Sequence, residues 1–276
     1  MAIPFSKMHG LGNDFVILDC RAQPLALDAS AIRRLGDRHF GVGFDQLLTI
    51  EPSTDPRCAF AYGIWNRDGS RSGQCGNGVR CVAAWLARDG ALGEGLIDLM
   101  SPSGPVRVEL LPDARVRVDM GEPRFAPATL PFDVAEERDR YRIGLPARTV
   151  EVGAVSMGNP HAVIEVDDPA VAEVDIIGPQ LEHAAEFPRG CNVGFAKVLS
   201  RSAIALRVWE RGVGETLACG TAACAAMAVM HRRKRVDDQV EINLPGGTLG
   251  ILWQGSGHPL WMTGPAAFAF EGVWHE

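Results

Sequence analysis

Residues 73–81 read GQCGNGVRC and residues 217–224 read LACGTAAC, so the chain twice places a cysteine directly before a glycine. The two cysteines, Cys75 and Cys219, are 144 residues apart. After the first, apolar residues recur on one stripe at helical spacing: Val79, Val82, Ala83 and Leu86. After the second, residues 222–230 are apolar on every side, a pattern typical of a fully buried helix. Each segment therefore predicts a helix that begins just after its cysteine.

The cysteines belong to a longer internal repeat. Residues 12–19 (GNDFVILD) resemble residues 158–165 (GNPHAVIE), so that Asn13 lies 146 residues before Asn159. Three further pairs keep this spacing to within two residues: Gln46 with Asn192, Asn66-Arg67 with Glu210-Arg211, and Cys75-Gly76 with Cys219-Gly220. Four pairs in the same order predict two copies of one supersecondary unit. The proline-rich stretch 122–131 is suited to link them.

Strand signals fill much of the remaining chain. Residues 106–111 and 115–120 alternate apolar and polar positions on either side of Pro112-Asp113, which predicts a β-hairpin. Similar signals occur in segments 162–166, 203–209, 240–244 and 248–253. The sequence thus predicts a strand-rich α/β fold of the α+β kind, with two pseudo-symmetric halves.

Composition excludes several classes of protein. Of the 276 residues, 46% are apolar and 22% are charged, which is typical of a globular chain. The 34 acidic and 27 basic residues give a formal charge of −7, so we do not expect a nucleic-acid partner. The N-terminal MAIPFSKMHGLG lacks the pattern of a secretory signal, and the uncharged run 217–230 is shorter than the ~20 residues that span a bilayer. We therefore expect a cytoplasmic protein without a membrane partner.

The seven cysteines form an odd set without paired spacing, so we expect thiols rather than disulfides. Free cysteines are usually small buried hydrophobic residues, and this is the interpretation for five of them: Cys20, Cys58, Cys81, Cys191 and Cys224. Cys75 and Cys219 differ, because a helix N-terminus offers N–H groups and a positive dipole that stabilise a thiolate and lower the thiol pKa. The basic run 231–235 is interpreted as cations at the C-terminal end of the buried helix.

Two thiols in such surroundings suit a particular reaction. If the two halves closed face to face, they would hold one small anion between the thiols, with helix N–H groups around its carboxylate. A thiolate could then remove a proton from one face of the adjacent carbon while a thiol supplies a proton to the other face. The pattern therefore favours racemisation or epimerisation without an electron-sink cofactor.

Other functions leave weaker signals. Pyridoxal phosphate requires a lysine, and none of Lys7, Lys197 and Lys234 adjoins a phosphate-binding glycine loop. The GxG runs at 41–43 and 212–214 lack the third glycine of a dinucleotide fingerprint. We therefore predict no cofactor and no metal. A non-catalytic metal or redox protein that uses the cysteines and a histidine stays open as an alternative, although the CxxxxxC and CxxxxC spacings are not those of zinc sites.

Six segments, taken in order, resemble the diaminopimelate epimerase family: residues 8–15 (MHGLGNDF), 66–69 (NRDG), 75–81 (CGNGVRC), 158–161 (GNPH), 210–216 (ERGVGET) and 218–221 (ACGT). Residues 264–265 (GP) and 270–272 (FEG) also resemble the family's ending, so the resemblance extends from residue 5 to residue 272. It implies cofactor-independent interconversion of LL- and meso-diaminopimelate, a small amino-acid substrate on the route to lysine and peptidoglycan. It also implies two similar halves, each a curved sheet or barrel around a central helix, with the active site in the cleft between them.

The resemblance further implies where the halves begin and end. The N-terminal half is residues 1–122 plus 265–276, because the family's last strand returns to the first half, and the C-terminal half is residues 123–264. The family is commonly homodimeric, and Phe270 stands where a tyrosine is often found at the dimer contact. Position 221 is a threonine where the family also uses serine, which keeps the hydroxyl.

By the family's motifs, Cys75 and Cys219 form the acid–base pair. Cys75 is the usual proton donor and Cys219 the acceptor for the LL substrate, and the roles swap in the reverse direction. His161 and Glu210 are implied to adjust the thiol pKa values. The residues implied to contact the ligand are Asn13, Gln46, Asn66, Gly76, Asn77, Asn159, Asn192, Glu210, Arg211, Gly220 and Thr221. A bidentate grip of Arg211 on the distal carboxylate would discriminate diaminopimelate from amino acids with one centre.

Two related kinds of enzyme stay open as alternatives. Proline-racemase-like enzymes also use paired thiols, but a substrate with one amino-acid centre would leave Glu210 and Arg211 without an evident role. The phenazine-biosynthesis isomerases have a similar fold and lack the cysteine pair, so Cys75 and Cys219 speak against them.

Overall fold

The computed structural model describes residues 2–25, 27–73 and 75–275. Within these residues the chain forms 17 strands and four α-helices, which confirms the predicted strand-rich α+β fold. The chain divides into two compact units: unit 1 comprises residues 1–119 and 263–276, and unit 2 comprises residues 120–262. The unit boundaries thus lie within three residues of the predicted ones at 122 and 265.

Unit 1 contains helices α1 (Ala29–Gly36) and α2 (Gly76–Arg88). Its strands are β1 (Ala2–Gly10), β2 (Asn13–Asp19), β3 (Gln46–Pro52), β4 (Phe60–Asn66), β5 (Gly95–Ser101), β6 (Gly104–Leu110), β7 (Val116–Asp119) and, from the end of the chain, β17 (Ala267–His275). β17 pairs antiparallel with β1. Helix α2 packs against β1, β2, β3, β6 and β7, so the strands of this unit surround it.

Unit 2 contains helices α3 (Val174–Glu182) and α4 (Gly220–Arg232). Its strands are β8 (Tyr141–Leu145), β9 (Arg148–Ser156), β10 (Pro160–Glu165), β11 (Asn192–Ser200), β12 (Ala203–Glu210), β13 (Gly214–Thr216), β14 (Gln239–Leu244) and β15 (Gly247–Leu252). β16 (Trp261–Gly264) crosses the sequence boundary of the units, and short 3-10 turns occupy Pro127–Thr129 and Pro169–Val171. Helix α4 packs against β9, β10, β11, β12, β14 and β15.

The internal repeat is visible in the pairing of the strands. In unit 1, β2 is parallel to β3, β3 antiparallel to β4, and β4 parallel to β5. In unit 2, β10, β11, β12 and β14 follow the same sequence of pairings. The registers also agree, because Phe15 lies opposite Gln46 and His161 lies opposite Asn192. Helices α2 and α4 each have 13 residues.

The helices and strands follow from the patterns in the sequence. The predicted stripe of α2 is buried, and every residue from 222 to 230 in α4 is buried, as the absence of a polar face required. The predicted hairpin is β6 and β7, which pair antiparallel. In β14, Val240, Ile242 and Leu244 are buried and alternate with exposed residues, the period of a strand with one face on the core.

The basic run at the end of α4 is paired with acidic side chains. Arg232 binds Glu137 and Asp139, and Arg235 binds Glu165 at 2.7 Å. These ion pairs place carboxylates against the basic side chains at the C-terminal end of α4. Among the described residues, no helix is long and apolar enough to cross a membrane.

The five cysteines interpreted as structural are all buried. Burial raises the pKa of Cys20 to about 11 and that of Cys81 to about 12. Such thiols stay protonated and unreactive near neutral pH. The remaining two cysteines lie at the helix ends described next.

Candidate functional site

Cys75 is the N-cap residue of α2. Its backbone is extended, with φ −146° and ψ 111°, and its half-buried Sγ accepts a hydrogen bond from the Gly78 N–H at 3.4 Å. The sulfur thus satisfies one of the N–H groups that the first turn of a helix leaves unpaired. A thiolate accepts such a bond more strongly than a thiol.

Asn13 lies at the start of β2, and the oxygen and the nitrogen of its side-chain amide have different partners. Its Oδ1 accepts hydrogen bonds from Cys75 Sγ at 3.8 Å and from Asn77 Nδ2 at 3.2 Å. Its Nδ2 donates to Asp45 Oδ2 at 3.0 Å. Because Asp45 takes the amide N–H, the carbonyl oxygen of Asn13 faces the cysteine. Cys75, Asn13, Asn77 and Asp45 are called the Cys75 cluster below.

Asp45 was not predicted from the sequence. It is held in place by Arg38 Nη2, at 2.8 Å from its Oδ1, and by the backbone N–H of Asp14 at 3.1 Å. Burial alone raises the pKa of Asp14, but hydrogen bonds from Arg38 and Lys7 outweigh it and lower the pKa to about 2. Asp45 therefore belongs to a charged network beneath Asn13. Its position directly before Gln46 is the signal that could have identified it.

Gln46 and Asn66 lie opposite each other on β3 and β4. Gln46 Nε2 donates to Asn66 Oδ1 at 3.0 Å, and Asn66 Nδ2 donates to Ser70 Oγ at 3.0 Å. Gln46 Oε1 is left buried and, in the part of the chain that the structure describes, has no hydrogen-bond partner. A buried acceptor of this kind is suited to a donor on a ligand.

Cys219 is the N-cap residue of α4 and is only 7% exposed. Its Sγ lies 3.5 Å from Thr221 Oγ1. The net effect on this residue is the opposite of the predicted one: burial, followed by the negative charge of Glu210, raises the pKa of Cys219 well above its ordinary value and outweighs the hydrogen bonds from Thr221 and the Ala222 N–H, which lower it. The protonated thiol is therefore the favoured form of Cys219.

Asn159 and His161 form a chain of hydrogen bonds that ends at Thr221. Asn159 Nδ2 donates to Thr221 Oγ1 at 3.4 Å, and Asn159 Oδ1 lies 3.0 Å from His161 Nε2. Burial, followed by the charge of Arg211, lowers the pKa of His161 to about 3, so the ring is neutral at pH 7. Its Nε2 must then carry the hydrogen that Asn159 accepts. Cys219, Thr221, Asn159 and His161 are called the Cys219 cluster below.

The remaining nitrogen of His161 has no such contact. Nδ1 is buried and, among the described residues, lacks a hydrogen-bond partner. In the tautomer fixed by Asn159 it is the unprotonated acceptor. The ring thus serves Asn159 as a neutral donor.

Glu210 is the last residue of β12, and Arg211 begins the turn that follows it. Asn192 Oδ1 accepts the backbone N–H of Arg211 at 3.0 Å, and Thr216 Oγ1 donates to Glu210 Oε1 at 2.5 Å. Arg211 Nη1 donates to the carbonyl of Arg189 at 2.9 Å. These bonds fix the backbone of the turn and one nitrogen of the guanidinium, which has five N–H donors in all.

Gly76 and Gly220 are the first residues of α2 and α4, and both are buried. Without a side chain they leave the N–H groups of the first turn open to a carboxylate. The predicted site residues of unit 1 are Asn13, Gln46, Asn66, Cys75, Gly76 and Asn77, and those of unit 2 are Asn159, His161, Asn192, Glu210, Arg211, Cys219, Gly220 and Thr221. In each unit they gather at the beginning of the central helix and at the strand ends beside it. In the described ranges, no group of three His, Cys, Asp or Glu side chains is placed to hold one metal ion.

This chain matches one family model and is similar in fold to several solved structures. The family model described as diaminopimelate epimerase matches residues 5–126 and 153–269 of this chain. Solved structures of other enzymes share the fold at low sequence identity. Likenesses at this level of identity show the fold alone.

One such structure is a hydroxyproline epimerase from Agrobacterium vitis with bound trans-4-OH-L-proline, at 16% identity and a TM-score of 0.69, covering 99% of this chain and 92% of that one. A second is a probable proline racemase from Agrobacterium radiobacter K84 with bound carbonate, at 17% identity and a TM-score of 0.70, covering 98% and 92%. A third is a methylitaconate-delta-isomerase, at 14% identity and a TM-score of 0.69, covering 99% and 95%.

Proposed function

Since the chain belongs to the diaminopimelate epimerase family and is an isomerase, we propose that it interconverts LL- and meso-2,6-diaminopimelate by a two-base mechanism without a cofactor. The observation that carries the proposal is the duplicated N-cap cysteine. Cys75 and Cys219 each precede a buried helix of 13 residues, and each lies in a cluster with an asparagine from the same position of the repeat.

The proposed reaction inverts one α-carbon of the substrate. One sulfur removes the α-proton as a thiolate, and the other sulfur, as a thiol, delivers a proton to the opposite face. The intermediate resembles a carbanion conjugated with the carboxylate, and the N–H groups at the helix N-termini supply partial positive charge to its oxygens. Gly76 and Gly220 support this assignment because neither carries a side chain that would screen those groups.

We assign the thiolate of the starting state to Cys75 and the thiol to Cys219. The raised pKa of Cys219 favours its proton, which leaves the charge of the pair to Cys75, whose Sγ accepts the Gly78 N–H. When Cys75 is protonated, its thiol donates to Asn13 Oδ1. From this state Cys75 accepts the α-proton and Cys219 donates. One turnover leaves Cys75 protonated and Cys219 charged, which is the state in which Cys75 donates and Cys219 accepts, as the family resemblance implies for the LL substrate. The direction therefore depends on which protonation state meets the ligand.

The polar residues support a substrate with two amino-acid centres. Asparagine and glutamine side chains provide donors and acceptors without a net charge, so they suit zwitterions and leave the thiols unperturbed. Arg211 is assigned to the carboxylate of the centre that does not react. Proline and hydroxyproline have a single centre and offer Arg211 no such partner, which favours diaminopimelate over these substrates.

The proposal extends to the setting of the enzyme. We place the reaction in the cytoplasmic route to lysine and peptidoglycan, and we propose a homodimer that covers Phe270 on β17, a side chain that is 52% exposed in the single chain. Sedimentation equilibrium tests the dimer. A monomer at micromolar concentration would contradict it without affecting the chemistry.

The function is tested by incubating the purified, chelator-treated protein with LL-diaminopimelate in deuterated water. We expect the meso isomer to appear with deuterium at the inverted α-carbon, because the thiol that delivers the proton exchanges with solvent. L-Proline and trans-4-hydroxy-L-proline are assayed in parallel. Turnover of these substrates without turnover of diaminopimelate would support a proline-racemase-like enzyme instead, and activity that returns only with added metal would overturn the cofactor-independent scheme.

A further inference from the structure

A buried carboxylate lies beneath the turn that carries Glu210 and Arg211. Glu182, the last residue of α3, is only 5% exposed. Its Oε2 accepts the indole N–H of Trp209 at 2.7 Å, and its Oε1 accepts the backbone N–H of Gly212 at 2.9 Å. One carboxylate therefore binds the residue before Glu210-Arg211 and the residue after it.

The chain just after Glu182 also shapes the path of Arg211. The Gly190 backbone has φ +68°, and a Cβ built there would lie 3.1 Å from Arg211 Cδ and 3.3 Å from the Glu182 carbonyl oxygen. A side chain at Gly190 would thus be strained and crowded against Arg211. The Arg189 carbonyl binds Arg211 Nη1. Arg189 and Gly190 thus restrict the position of the Arg211 side chain. Glu182 holds the backbone on either side of Glu210-Arg211.

At the equivalent place of the repeat, unit 1 has a glycine. The internal repeat with its offset of 146 residues places Gly36, the last residue of α1, where unit 2 has Glu182. A Cβ built at Gly36 would lie 2.8 Å from Arg67 Cγ, so the side chain of the equivalent arginine packs over this glycine. The fold of the repeat thus does not require a carboxylate at this place. Burying a carboxylate is costly, and the one ionisable partner of Glu182 among the ion-pair contacts of the described residues is the exposed His183, whose Nε2 lies 3.9 Å from Oε1 and is a cation only when protonated. The presence of Glu182 in unit 2 therefore needs another reason.

We infer that Glu182 is a positioning residue, which sets the substrate affinity by holding the Glu210-Arg211 turn so that Arg211 can bind the distal carboxylate of a diamino-dicarboxylic acid. This inference rests on the proposed function. The distal centre does not react, so its grip contributes equally to the ground state and the transition state. Loss of Glu182 therefore raises KM and leaves kcat nearly unchanged.

Glu182→Gln tests this role because the amide keeps the size of the side chain, removes its charge and turns an NH₂ group toward one of the two N–H donors. We expect KM for LL-diaminopimelate to rise about tenfold, which corresponds to about 1.4 kcal/mol, with kcat within about threefold of the wild type. Glu186→Gln, which removes the charge of a half-buried glutamate four residues along, is the matched control. It leaves both constants unchanged.

A double-mutant cycle separates positioning from general support of the fold. In an Arg211→Ala background, Glu182→Gln produces no further rise in KM if it acts through Arg211. An equal rise in both backgrounds, or an unchanged KM in folded Glu182→Gln, overturns the inference. If Glu182→Gln does not fold, Trp209→Phe removes a single hydrogen bond, and an unchanged KM in that variant also overturns it. A wild-type protein that does not epimerise diaminopimelate contradicts the proposed function instead.

Discussion

Each unit places an asparagine near its N-cap cysteine, but the two amides are turned in opposite directions. In the Cys75 cluster, Asp45 accepts from Asn13 Nδ2, so Asn13 presents its carbonyl oxygen to the sulfur. In the Cys219 cluster, a neutral His161 donates to Asn159 Oδ1, so Asn159 presents its N–H toward Thr221. Asp45 and His161 therefore determine how the two amides are oriented. The oxygen of Asn13 faces Cys75, whereas the NH₂ group of Asn159 faces Thr221.

A second difference lies in charge. The register that pairs His161 with Asn192 pairs Phe15 with Gln46, and the position that is Glu210 in unit 2 is Asn66 in unit 1. The duplicated scaffold therefore fixes where the thiols lie, and a few substitutions make the two thiols unequal. Two identical thiols would have equal pKa values, whereas a two-base inversion needs one of them charged and the other protonated.

The largest expected effect comes from substituting either of the two N-cap cysteines. Cys75→Ala and Cys219→Ala are each expected to lower the rate of meso-diaminopimelate formation by at least about a thousandfold, because each removes one of two proton-transfer groups. Chiral chromatography of the product measures this rate. Cys58→Ala, which removes a buried cysteine of unit 1 remote from α2 in sequence, retains wild-type activity. A Cys75 or Cys219 variant with a tenth of the wild-type rate would show that its thiol is dispensable.

Much of this arrangement could be predicted from the sequence because its causes are local. The helix after Cys75 follows from the spacing of Val79, Val82, Ala83 and Leu86, and the burial of α4 follows from its lack of a polar face. The four repeated pairs predict two copies of one supersecondary unit, and the two units share the same sequence of strand pairings. These features depend on neighbours along the chain or on the repeat itself.

The inequality of the two thiols could not be predicted in the same way. The raised pKa of Cys219 depends on how completely the packed unit excludes water, which no local pattern records. The orientation of Asn13 depends on Asp45, 32 residues away. Glu182 gave no signal at all, because a glutamate at the end of a short helix is usually solvated. Tertiary contacts decide each of these points.

The next largest effect is on the stability of the fold. It tests the difference between His161 and Phe15, which occupy equivalent positions of the repeat. With a folded pKa of about 3 and an ordinary value of 6.5, His161 binds fewer protons in the folded state between these pH values. The free energy of unfolding therefore falls as pH drops below about 6.5. In His161→Phe this contribution is absent, so the loss of stability with falling pH is less steep by about 1.4 kcal/mol per pH unit.

Urea unfolding of the full chain, followed by tryptophan fluorescence at pH 4 to 7, measures that slope. His258→Phe is the matched control, because His258 is exposed. Equal slopes in the wild type and His161→Phe would mean that His161 titrates normally and that the buried, neutral donor assigned to Asn159 is wrong.

A smaller effect is expected from the partner of Asn13. Asp45→Asn replaces an obligate acceptor by an amide, so Asn13 is no longer forced to present its oxygen to Cys75. We expect kcat/KM to fall about fivefold, the cost of one neutral hydrogen bond, in which the protonated Cys75 thiol donates to Asn13 Oδ1. Asp113→Asn, in the exposed β6–β7 turn, is the control for loss of a carboxylate. Unchanged kinetics in Asp45→Asn would remove Asp45 from the Cys75 cluster as a functional residue.

The smallest effect tests how far the negative charge of Glu210 contributes to the raised pKa of Cys219. Glu210→Gln removes the carboxylate that, after burial, raises the pKa of Cys219. The pKa of Cys219 then falls, a larger fraction is thiolate at any given pH, and its alkylation by iodoacetamide at pH 8 becomes about threefold faster. Peptide mass spectrometry reports Cys219 and Cys75 in the same sample, so Cys75 is the internal control. Because burial is the larger cause, Cys219 still reacts more slowly than Cys75, and a variant in which the two rates became equal would show that Glu210, not burial, sets the difference.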